Sequence, residues 1–172
     1  MRPLVVLVFL SAFALATTVG DWYGYTDEDD FTDEETTYMM VRGVGGWAAG
    51  FDGDPYLLVM FLENDDTPYI CIDFNGPIGY GSPTTCLTRL DDNEAQSIRV
   101  SGNDEILMFD TGSALANKQF FASLLDGNEF VIRYDAAAQP QVTLTFSLSG
   151  ITGLANELGV DTEYYLTYLE NE

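Results

Sequence analysis

The chain has 172 residues, 28 acidic against 6 basic, for a formal net charge of −22, and it contains no histidine. That length suits one domain with a real core, and a content of 47% hydrophobic and 13% aromatic residues argues against a disordered acidic chain. The charge leaves no basic patch to neutralise phosphates, so nucleic acid is not an expected partner, and the missing histidine removes Ser–His–Asp and Cys–His catalysis and the usual zinc sites.

The N-terminus, MRPLVVLVFLSAFALATTVG, places one arginine before an apolar run that ends in Ala14-Leu15-Ala16. The run falls short of the roughly 20 residues a membrane-spanning helix needs. Residues 1–16 read as a cleavable secretory signal, which implies a periplasmic or secreted protein with no membrane span. So acidic a surface repels itself in dilute solution. Salt shortens that repulsion, from a Debye length of about 10 Å at 0.1 M to about 3 Å at 1 M, so the composition points to a saline setting.

Residues 17–35 form an acidic N-terminal segment, with Asp27 to Glu35 read as a loop. Thr36 to Arg42 reads as a strand, and GVGGWAAGFDGDP as turn-rich chain anchored by Trp47 and Phe51. Pro55 to Leu62, PYLLVMFL, is a continuous apolar run of central-strand length. TPYICIDF follows as a strand, then a Gly- and Pro-rich loop. If YICIDF pairs with TTCLTR so that Cys71 faces Cys86, then Ile70 faces Leu87 and Ile72 faces Thr85, a sensible cross-strand set. A disulfide between Cys71 and Cys86 is then expected in an exported protein, worth about 3 kcal/mol in the chain-entropy model. The alternative is two free, buried thiols.

The stretch TRLDDNEAQSIRV reads as strand, acidic turn, strand, with Arg89 and Arg99 on its flanks. Thr84–Leu90, Gln96–Ser101 and Glu105–Phe109 are three strands separated by good turn chemistry. Ser113 can cap a helix over ALANKQFFASLLDG, with Ala114, Phe121, Leu124 and Leu125 inward and Gly127 as its stop. In EFVIRYD, Phe130, Ile132 and Tyr134 share a face. In QVTLTFSL, Val142, Leu144, Phe146 and Leu148 alternate with polar residues. SGITGLANELG is a short helix or turn, and residues 160–172 are an aromatic, acidic tail. Together these predict an antiparallel β-sandwich, or partly open barrel, over residues 36–159, with one crossover helix and a short C-terminal helix.

Few constellations offer chemistry. GVGG at 43–46 lacks the lysine and helix of a phosphate loop. A two-carboxylate glycoside hydrolase would need one acid pair singled out, with Trp22, Trp47, Tyr56 and Tyr80 available to line a groove; nothing singles one out, so no enzyme and no cofactor is expected. DEDDFTDEE, DGDP and ENDD supply oxygen ligands without the spacing of a helix-flanked calcium loop, and read as solvated turns. Strand arginines 89, 99 and 133 most simply pair with cross-strand carboxylates and cover apolar surface with their stems; an anionic ligand is the alternative.

The order of features from Thr84 onward resembles the VasI/TagO-like family of type VI secretion-associated proteins. The match rests on Arg89-x-Asp91, the helix ending Leu124-Leu125, the strand carrying Arg133, and Phe146-x-Leu148-x-Gly150, with Trp22 as the family's tryptophan. The resemblance implies an exported, non-enzymatic β-sandwich acting through protein contacts in the envelope, as an accessory to a secretion apparatus. A secreted carbohydrate- or calcium-dependent binding module is the alternative.

Overall fold

The computed structural model describes residues 16–29, 32–46, 54–74, 85–102, 105–134 and 142–169. Among the described residues eleven strands form one antiparallel sheet. In chain order they are β1 (Thr17–Val19), β2 (Trp22–Glu28), β3 (Glu35–Arg42), β4 (Val44–Gly46), β5 (Tyr56–Leu62), β6 (Tyr69–Asp73), β7 (Thr85–Leu90), β8 (Gln96–Gly102), β9 (Ile106–Asp110), β10 (Glu129–Tyr134) and β11 (Val142–Ser147). Helix α1 (Ala114–Asp126) joins β9 to β10, and α2 (Ile151–Glu157) and α3 (Thr162–Leu166) follow the last strand.

The sheet order is β1-β2-β3-β5-β6-β9-β8-β7-β10-β11-β4. One residue, Gly43, separates β3 from β4, yet β4 pairs with β11 at the far end of the order. The sheet must therefore curl until its last strand lies beside its third, making a two-layered, sandwich-like body that is not a closed barrel. A second tie crosses the same gap: the Trp22 indole N–H donates to the Ser147 carbonyl at 3.0 Å, joining β2 to β11.

The core follows from the two-residue period of the strands. Trp22, Val41, Leu57, Ile72 and Leu107 are successive register partners across β2, β3, β5, β6 and β9, and none is more than 1% exposed. From the other layer come Phe130, Ile132, Val142, Leu144 and Phe146, all buried. Helix α1 closes one mouth of the sandwich. Its Phe121 meets Phe61 of β5 and Tyr165 of α3, while Phe120 meets Phe109 and Phe130. Ser113 caps the helix by accepting from the Ala116 N–H, and Gly127 ends it, as the sequence predicts. Phe121, Leu124 and Leu125 point inward as expected, whereas Ala114 is exposed in the first turn.

Three expectations need correction. Residues 17–28 of the acidic segment form the hairpin of strands β1 and β2, so they belong to the sheet. The tail contains α3, which packs against α1 through the contact of Phe121 with Tyr165. The hairpin expected between YICIDF and TTCLTR does not form: β6 pairs with β5 and β9, β7 pairs with β8 and β10, and two strands separate them in the sheet. Cys71 and Cys86 are therefore not cross-strand partners, and both are free, buried thiols. Burial, helped at Cys71 by the Asp73 carboxylate, pushes each thiol up to about 12, so neither is a thiolate at neutral pH. A reducing agent is expected to leave Tm unchanged, and a thiol reagent to titrate Cys71 and Cys86 only after denaturation. The signal segment lies almost wholly outside the described residues, as do Trp47, Phe51 and Tyr80.

A tyrosine-lined outer face as the candidate functional site

Each inner row of the first layer has an outer row beside it. Tyr23, Met40, Leu58, Cys71 and Met108 are register partners in turn across β2, β3, β5, β6 and β9. Next to them run Tyr25, Tyr38, Met60 and Tyr69, and on the other side Tyr56 stands opposite Asp73. All of these except buried Cys71 are half-buried. A sheet face turned to water is ordinarily polar; this one carries tyrosine and methionine, residue types that suit contact surfaces because they combine apolar bulk with a polar tip or an adaptable shape.

The face is hollowed. A recess of about 360 Å³ is lined by Tyr23, Tyr25, Tyr38 and Tyr56, with Met40, Leu58 and Asp73 completing it. Tyr25 and Tyr38 are stacked, with ring centroids 5.1 Å apart. Tyr23 and Tyr56 stand perpendicular, 6.2 Å apart. Burial raises the pKa of Tyr23, and Tyr56, Tyr25 and Asp73 add to the effect. Burial likewise raises Tyr25, followed by Tyr38 and Asp27. These hydroxyls stay protonated at neutral pH and sit in a negative local field. Arg42, opposite Tyr56 in register, bonds instead to Asp54 at the exposed strand end.

Of the arginines singled out by sequence, Arg89 and Arg133 lie on the outer face of the other layer, while Arg99 of β8 stands opposite Asp110 of β9. Leu87 is the register partner of Arg133, and Arg89 of Val131, and both arginines border a smaller groove of about 240 Å³. Arg89 reaches Glu129 at 3.8 Å, with both side chains nearly half exposed, a pair of small energetic weight. Asp91 does more. It adopts a left-handed backbone at φ 51°, and its carboxylate accepts the Asn128 and Glu129 N–H groups at 2.9 and 2.8 Å. Its own N–H donates to the Glu129 carbonyl. Arg89-x-Asp91 thus latches the end of β7 to the start of β10. Those two backbone donors hold the Asp91 carboxyl below the usual carboxylate range. A depressed native pKa stabilises the fold above the unfolded value near 4 and loses that contribution as pH falls further. Asp91→Ala is expected to lower Tm at pH 7 by roughly 2–4 °C and to flatten the acid limb of the stability curve, read by thermal melts between pH 2 and 7.

The other sequence candidates are structural. Phe146 is fully buried and stacks with Phe130 at 6.3 Å. Gly150 has φ 97°, and a Cβ there would lie 2.2 Å from the Val19 carbonyl oxygen. Trp22 is fully buried, so it cannot line a sugar groove; of that proposed set, Tyr56 alone falls at a described recess. In ENDD, Asp65 accepts from Tyr69 and Thr67, and Asp66 from Lys118 and Tyr164. Among the described residues no three Asp, Glu or Cys side chains group to hold a metal ion, and no helix is long and apolar enough to cross a membrane.

A mainly antiparallel, two-layered β protein with an aromatic outer face is thus the class that fold and site define. No protein-family model matches the chain, and no curated protein matches it. Among solved structures, invasion associated protein B from Bartonella henselae is similar, with a TM-score of 0.57 over 88% of this chain and 99% of that one, at 15% identity. Likeness at that identity is a likeness of fold.

Proposed function

We propose that this is an exported, non-catalytic binding protein that makes its protein contacts through the tyrosine- and methionine-bearing face of β2, β3, β5, β6 and β9. The observation that carries this reading is the outer pair of rows, where Tyr23, Met40 and Leu58 lie beside Tyr25, Tyr38 and Met60. Exposed apolar surface gathered in one place marks interaction sites, and tyrosine and methionine are enriched at interfaces. The leader-like N-terminus supplies the export part of the proposal, and the resemblance to the VasI/TagO-like family supplies an envelope partner associated with a secretion apparatus.

The test is co-purification from native envelope at high salt with three tagged proteins. Leu58→Glu places a charge in the middle of the face, while Leu87→Glu does the same on the opposite layer. A partner retained by the wild type and by Leu87→Glu, and lost with Leu58→Glu at unchanged circular dichroism, is the expected result. Retention of every partner by a folded Leu58→Glu protein overturns the assignment of the face.

A further inference from the structure

The recess on this face has the chemistry of a cation receptor. Tyrosine ring faces carry negative potential and attract ammonium and guanidinium groups lying within about 6 Å of the ring centroid. Here the perpendicular rings of Tyr23 and Tyr56 and the stacked pair of Tyr25 and Tyr38 surround one hollow. A carboxylate, Asp73, belongs to the same lining. Tyr56 and Asp73 are direct cross-strand partners, which brings ring and carboxylate to adjacent places on the wall. The whole chain carries −22, a field that favours a positive partner.

Resting on the reading that this face is the contact surface, we infer that the recess takes a basic side chain, arginine or lysine, presented by a cationic protein partner. The guanidinium or ammonium group would lie against the Tyr23 and Tyr56 rings with Asp73 as its counter-charge. The apolar part of the partner would spread from Leu58 in the lining onto Met60 and Met108 beside the hollow. That apolar surface beyond the hollow favours a macromolecular partner over a free small cation, which would use the recess alone. Planar guanidinium stacks on tyrosine better than ammonium does, so arginine is the preferred occupant.

The test uses methionine-methyl-labelled protein in 1 M sodium chloride, where long-range attraction to the acidic surface is screened. N-acetylarginine amide is titrated while the Met40 and Met60 methyl resonances are followed, with the citrulline amide as the neutral isostere and tetramethylammonium as the small cation. Saturable shifts with arginine that are at least tenfold weaker with citrulline are expected. Tyr56→Leu and Tyr23→Leu, which leave net charge unchanged, should each weaken arginine binding about tenfold or more. Tyr56→Phe, which keeps the ring, should bind within about twofold of wild type and guards against a folding defect. Equal binding of citrulline, or full binding by a folded Tyr56→Leu protein, overturns the proposal. Tighter binding of tetramethylammonium than of arginine also overturns it, in favour of a small-molecule site. If Leu58→Glu still loses its envelope partner while arginine fails to bind, the cation assignment falls and the contact face stands.

Discussion

Trp22→Ala is expected to remove about 3–5 kcal/mol of stability, a large part of the roughly 5–15 kcal/mol that holds a typical domain. The side chain is fully buried, so truncation leaves a cavity that rigid strands on either side cannot fill. It also removes the indole donor at 3.0 Å from the half-buried Ser147 carbonyl, a hydrogen bond worth about 0.5–1.5 kcal/mol. The residue has special leverage because its hydrogen bond joins β2, near one end of the strand order, to β11, next to the other end. Trp22→Phe keeps most of the volume and loses only the donor, so it should fall well short of the alanine effect. Urea unfolding at constant high salt reads both. If alanine and phenylalanine cost the same, the hydrogen bond and not the packing closes the sheet. If neither costs more than 1 kcal/mol, the curl is held elsewhere.

How much of this could be read from the chain depended on whether local pattern and final environment agreed. They agree in β11 and the residue after it, where Val142, Leu144, Phe146 and Leu148 alternate with polar residues and all four are buried, and in α1, where Ser113 and Gly127 bracket an apolar stripe. They disagree in β2. There an inward position is Gly24, because an added Cβ would lie 2.5 Å from the Tyr38 carbonyl oxygen and 2.7 Å from Leu158. The outward positions are tyrosines. Neither residue type announces its side of the sheet, so the alternation vanishes. The same inversion hides the candidate site in β5. YLLVMFL reads as a strand buried on both faces, yet only Leu57, Val59 and Phe61 are buried, while Tyr56, Leu58 and Met60 are half exposed. An apolar outer face and a doubly buried strand look alike in one dimension. The placement of Cys71 and Cys86 failed for a different reason. Strand pairing is non-local, and β8 and β9, later in the chain, insert between β6 and β7; no feature of the intervening loop signals that. The motif residues Arg89 and Asp91 were visible, but their role needed the position of Glu129, 38 residues beyond Asp91.

The tail yields the second large effect. Tyr165→Ala is expected to cost about 3–5 kcal/mol, as for other large aromatic truncations in a core, although the residue belongs to a segment whose sequence reads as an acidic appendage. Tyr165 is 4% exposed, its ring lies 5.0 Å from that of Phe121 and 5.9 Å from that of Phe61, and its hydroxyl donates to the Asp66 carbonyl at 2.8 Å. Around it Lys118 donates to Asp66 and to the Tyr164 hydroxyl, which ties α1, α3 and the β5–β6 turn together. Losing the ring therefore opens the mouth that α1 closes. The same burial, with Asp66 adding to it, raises the Tyr165 pKa to about 12, against about 10 in an unfolded chain. The folded state then holds its proton more tightly than the unfolded one. The Tyr165 contribution is undiminished below pH 10 and is lost as pH climbs from there towards 12. Tyr165→Phe removes that titration, so its alkaline limb should be flatter than the wild type's even though its stability at pH 7 is lower. An identical alkaline limb in the two proteins would show that Tyr165 is not ionising from a buried site, and would detach α3 from the core.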